Sequence, residues 1–127
     1  MENINYNEGD IVIRADFATL ADDGKTVLKR YAWQDLSLEE RGAITKDINY
    51  KVALSGATFE VRDIQGKECI LIVYGIRLRL RDKKEIDDVL NEFSCKANKV
   101  LKDSAVNIKR LSENKLPLNA VIFNRQK

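Results

Sequence analysis

Three arginines at alternate positions, Arg77, Arg79 and Arg81, are the most pointed chemical feature of this 127-residue chain. On an extended strand, side chains two apart project to the same side at intervals of roughly 6.5 Å, so three guanidinium groups line up in a row. Each offers a planar fork of donors suited to a phosphate or a carboxylate. Such a row can meet nucleic acid, a nucleotide-like ligand or the acids of a partner. The plainer account is a solvated or intersubunit strand end paired with acidic residues. Tyr50, read as lying on the neighbouring strand with Val52 and Leu54, adds aromatic and apolar surface of the sort that serves single-stranded nucleic acid. Arg77, Arg79, Arg81 and Tyr50 are therefore the candidate ligand- or polyanion-binding residues.

Other chemistries are narrowed by composition. The chain has no histidine, which removes the commonest general base and metal ligand. Its two cysteines, Cys69 and Cys95, are too few and too far apart for a zinc motif. Gly42, Gly56, Gly66 and Gly75 are isolated, so no phosphate-cradling loop is legible. Glu39 and Glu40 resemble a carboxylate pair but sit where acids favour a helix start. No nucleophile has an evident base. The residues thus read as those of a non-enzyme, with no catalytic residue, no metal and no cofactor. With 22 basic and 20 acidic residues, no field of the whole molecule favours a polyanion. Unpaired thiols, no leader at Met1 and no apolar run long enough for a membrane span place the expected protein in the cytoplasm of a bacterial or host cell, or with a virion.

The elements that must hold the arginine row start with Glu68 to Arg81, which alternates throughout and reads as a long central strand. Ile70, Ile72, Tyr74, Ile76, Leu78 and Leu80 form one face. Cys69, Leu71, Val73 and Gly75 begin the other, which then becomes basic. Tyr50 to Arg62 reads as its hairpin partner about a turn centred on Gln65 and Gly66, with Val61 opposite Ile70 and Phe59 opposite Ile72. That register sets Gly56 against Gly75, a notch that a bend or a close neighbour would explain. Asp10 to Phe17 and Thr26 to Trp33 read as a first hairpin with a bulge or longer loop, after a flexible arm from Met1 to Gly9. Tyr31 and Trp33 at its end read as packing residues, with stacking on a ring as the alternative.

Ser37 and Glu40 have capping-box spacing and predict a short helix over Leu36 to Ile44, cut short by Gly42. Ile86, Val89, Leu90, Phe93, Ala97, Val100 and Leu101 predict a long amphipathic helix from Lys83 to Lys102, with Cys95 opposite the apolar stripe. Ala105 to Leu111 reads as a helical turn or a short strand, and Leu118 to Phe123, following Pro117, as an edge strand.

The expected fold is a single α+β domain over residues 10–127. It is an antiparallel sheet of four to six strands built on two hairpins, with the long helix on the Ile70 to Leu80 face. Cys69, Leu71, Val73, Gly56, Gly75 and Cys95 are then the candidate interface residues, because the second face needs cover. The expected function is a non-enzymatic association protein, an accessory or assembly subunit of a bacterial or phage system that self-associates or docks on a protein partner. The alternative is a nucleic-acid or nucleotide-ligand binding module using Arg77, Arg79 and Arg81.

Overall fold

A computed structural model describes residues 11–55, 57–74 and 83–123, with side chains from 86 onward in the last stretch. Within them the order is β1 (Ile11–Leu20), β2 (Val27–Lys29), α1 (Leu38–Lys51), β3 (Thr58–Ile64), β4 (Glu68–Tyr74), α2 (Lys83–Lys102), α3 (Ala105–Ser112) and β5 (Ala120–Phe123). All pairings are antiparallel, and the fold is the expected α+β class. The strands run β2-β1-β4-β3, with β5 also on β1. It is β1, rather than the Glu68 strand, that pairs with three others.

The core lies on the opposite side of β4 from the one expected. Cys69, Leu71 and Val73 are sealed in at 0%, 0% and 1% exposure, with Ala15 and Phe17 of β1, Val61 of β3 and Phe93, Ala97 and Leu101 of α2. Phe93 spans the helix–sheet junction, its ring 5.3 Å from Phe59 and 5.9 Å from Phe123. The long helix therefore covers the cysteine face, not the Ile70 face, and Cys69, Leu71 and Val73 are core rather than a surface awaiting a partner. Ile70 and Ile72 are also buried, at 7% and 0%. Arg14 and Arg62 flank Ile70 in the ladder, while Val12 and Glu60 flank Ile72. With both faces of β4 apolar, alternation alone had no means of choosing between them.

The β3–β4 register differs from the expected one by a single residue: Val61 faces Leu71 and Phe59 faces Val73. Gln65 and Gly66 do form the turn centre, at φ 56° and 75°, with Lys67 N–H donating to Ile64 O at 3.0 Å. The ladder resumes at Ile64 opposite Glu68, so Lys67 is an extra residue in the turn, and that shift moves Phe59 and Val61 to the cysteine face.

Tyr50 lies in the last turn of α1, 87% exposed, and not on a strand. The capping box is present, with Ser37 Oγ accepting from Glu40 N–H and Glu40 accepting from Ser37 N–H. The helix nevertheless runs through Gly42, because one further turn buries Ile48 beside Ile44. It also lets Asn49 exchange hydrogen bonds of 2.7 and 3.0 Å with the backbone of Val61 on β3. Trp33 is buried in a 3-10 turn, Ala32–Asp35, with its ring 4.8 Å from Phe17. The arm from Met1 to Gly9, Gly56, Gly75 and the row Arg77, Arg79 and Arg81 lie outside the described residues.

Candidate anion site

Among the described residues, three guanidinium–carboxylate clusters stand out, each built where the fold crosses from one element to another. The first ties α1 to the β3–β4 turn. Asp63 Oδ1 accepts from Trp33 Nε1 and Gly66 N–H, both at 2.9 Å, while Oδ2 accepts from Arg41 Nε at 2.9 Å. Burial alone would raise the Asp63 carboxyl, but these three donors outweigh it and hold the carboxyl below its ordinary range. Arg41 spends a further donor on Leu36 O at 2.7 Å, so this cluster is a closed structural clasp.

The second cluster ties α1 to α3. Arg110, 8% exposed in its side chain, donates to Glu40 at 3.0 and 3.2 Å and to Leu116 O at 2.8 Å. Burial pushes the Glu40 carboxyl up, while Ser37 N–H and Arg110 push it further down, for a net lowering.

The third cluster lies on the outer sheet face and is not closed. Asp16, its side chain 3% exposed on β1, accepts from Arg14 Nε at 2.7 Å and from Arg30 Nη2 at 3.5 Å. Both guanidinium groups lie by the ring of Tyr31, with Cζ 5.0 Å (Arg14) and 5.8 Å (Arg30) from its centroid, within cation–π range. Glu68 stands 3.8 Å from Arg14. Arg30 Nε is shut off from solvent and has no acceptor among the described residues. Both arginines keep about two fifths of their side chains open, at 41% and 38%. Next along this face, Glu60 pairs with Arg62 at 3.0 Å and accepts from Tyr74 Oη at 2.9 Å.

Of the expected site residues, Tyr50 lies on α1, and Cys69, Leu71 and Val73 belong to the core, while Cys95 is exposed on α2 as its helical position predicted. Arg14, Asp16 and Arg30 carry no signal in the sequence: alternation sets Arg14 and Asp16 on the polar side of β1, opposite Ala15 and Phe17, and Arg30 joins them only through the fold.

The chain belongs to the family of the 2,3-bisphosphoglycerate-independent phosphoglycerate mutases, whose family model matches residues 2–88. Among solved structures it is similar to the cofactor-independent phosphoglycerate mutase from Thermoplasma acidophilum, with TM-score 0.73 and 22% identity over 92% of this chain and 37% of that one. It is also similar to the PH0037 protein from Pyrococcus horikoshii, with TM-score 0.70 and 20% identity over 95% of this chain and 28% of that one. At these identities the likeness shows a shared fold. The chain spans about a third of the length of these relatives. No curated protein matches it. The family match overturns the non-enzyme reading: neither a phage or bacterial assembly subunit nor a nucleic-acid module fits a family defined by an enzyme. No helix among the described residues is long and apolar enough to cross a membrane.

Proposed function

We propose that this chain is a substrate-handling domain of a cofactor-independent phosphoglycerate mutase. The observation that carries the reading is the family match over residues 2–88, which takes in the first hairpin, α1, β3, β4 and the arginine row. A mutase of this name shifts a phosphoryl group between the two hydroxyl oxygens of glycerate. One P–O bond breaks, another forms, and the proton of the accepting hydroxyl ends on the oxygen released. The group in flight carries spread negative charge, so fixed cations are the main help a protein can give it.

This chain is rich in such cations and has no histidine to move the proton. Binding and orienting the anionic substrate is accordingly the share assigned to it, with Arg77, Arg79 and Arg81 as contributors. The group that moves the proton is assigned to the remainder of such an enzyme, on the same polypeptide or another, and that remainder is the protein partner.

The test is titration of the isotope-labelled chain with phosphoglycerate, observed by NMR, alongside 31P spectra of the same samples. Saturable shifts in the millimolar range or tighter, reduced by replacing Arg77, Arg79 and Arg81 together with Ser, support the reading. Shifts no larger than those from sodium chloride at equal ionic strength overturn it.

A further inference from the structure

We propose that the cavity between the β1–β2 turn, the end of α2 and α3 binds a small amphipathic carboxylate, an aliphatic or aryl acid, apart from the arginine clusters described above. The cavity measures about 560 Å³, within the range of roughly 300–1,000 Å³ that holds small ligands. Leu20, Leu101, Leu111 and Pro117 give it an apolar lining drawn from β1, α2, α3 and the segment before β5. Leu111 is 59% exposed, on a helix whose buried residues are the polar Asn107 and Arg110. An apolar ligand body lying over Leu111 takes that surface out of water.

The walls are set before any ligand arrives. Asn107 donates to Leu101 O and Leu118 O at 2.8 and 2.7 Å and accepts from Leu118 N–H at 2.8 Å. Asn119 accepts from Leu20 N–H at 2.7 Å and donates to Leu20 O at 3.1 Å. Both amides are spent on holding α2, α3 and β1 around the space. Asn98, which also lines it, is different: its Oδ1 accepts from Val121 N–H at 3.0 Å, while its Nδ2 has no acceptor among the described residues.

Lys99 and Lys102 supply the charge. They stand three residues apart on α2, and therefore on one face of it, and both line the cavity with no ion pair among the described residues. Lysines in the last turn of a helix also answer its dipole, but that role calls for no apolar cavity beside them. Asp22 is the one acid among the described lining residues, so the charge of the cavity is positive. A carboxylate placed by the two ammonium groups and the free Asn98 amide meets that charge, and its body then covers the leucines. An anion without an apolar body leaves the lining wet, and an uncharged body leaves the lysines unpaired.

The experiment follows the backbone amide signals of the isotope-labelled full chain during titration with octanoate, kept below its micelle concentration, and with acetate, octanol and octylammonium. The expected result is saturable movement at Leu20, Asn98, Lys102 and Leu111 with octanoate, at a Kd of about 1 mM or tighter. The other three probes should bind at least about tenfold more weakly. The Lys99→Gln/Lys102→Gln variant, altered only at exposed positions, should weaken octanoate binding about tenfold, and Leu111→Ala about threefold. Octanol or octylammonium binding within the tenfold margin overturns the choice of a carboxylate, and acetate binding within it overturns the part given to the apolar lining. Movement that does not saturate, or an affinity unchanged in the double-lysine variant, overturns the site. None of these outcomes touches the mutase reading, whose own test uses phosphoglycerate.

Discussion

Gly66 carries two demands that only glycine meets together. Its φ of +75° lies in the left-handed region, and a Cβ there would come within 3.0 Å of Arg41 Cζ, the guanidinium that braces Asp63. Gly66→Ala should therefore cost about 1–2 kcal/mol in urea unfolding, from backbone strain plus displacement of Arg41. Glu92 offers a test in pH. Lys96 at 2.7 Å, then the hydroxyl and N–H of Ser55, hold its carboxyl at about 2. A carboxyl depressed on folding stabilises the protein above the unfolded value near 4.5 and loses that contribution as pH falls toward 2. Its 13C carboxyl signal should accordingly titrate near 2, and a midpoint near 4.5 would show that the bridge from α2 to Ser55 does not hold in solution. Asp63 and Glu40, also lowered, contribute in the same sense, with stability lost as pH falls below their ordinary carboxyl range.

At the scale of elements, the N-terminus of α1 does two jobs through one carboxylate. Glu40 caps Ser37 N–H and also receives Arg110 from α3. Ser37→Ala removes only the cap and should cost about 1 kcal/mol. Glu40→Ala also strands a nearly buried guanidinium, and its cost should rise to about 3 kcal/mol. Equal losses in thermal melts would mean that the α1–α3 tie carries no energy. The start of this helix was legible because a cap is a local signal in three or four residues. Its end was not, since what carries it past Gly42 is tertiary: Ile48 in the core and Asn49 on the β3 backbone. The long helix was legible from end to end for the opposite reason, one unbroken apolar stripe. The strands were found, but the face was lost at β4, where Ile70 and Ile72 are as buried as Leu71 and Val73 and one extra residue, Lys67, sets the register. The arginine cluster escaped notice because Arg14 and Arg30 are sixteen residues apart in sequence and meet only through Asp16.

For the molecule as a whole, the two thiols report on different events. Cys95 is exposed on α2, and Cys69 is sealed in the sheet, where burial pushes its thiol up and out of reach of the thiolate form. A thiol reagent on native protein should consume one cysteine within minutes and the second only at the rate of global unfolding. Two fast thiols would mean that β4 is not where the core lies.

The pairing of β1 with β5 reaches still further along the chain. Thr19 Oγ1 donates to Pro117 O and Leu20 N–H to Asn119 Oδ1, contacts that span 98 and 99 residues. β1 is thus made about a hundred residues before the strand that completes it. Until β5 emerges, one flank of β1 keeps its N–H and C=O groups bare, and it is then an invitation to any other unfinished chain nearby. The strand that mounts Arg14 and Asp16 is therefore also the one whose wait for its last neighbour exposes the growing polypeptide to its neighbours.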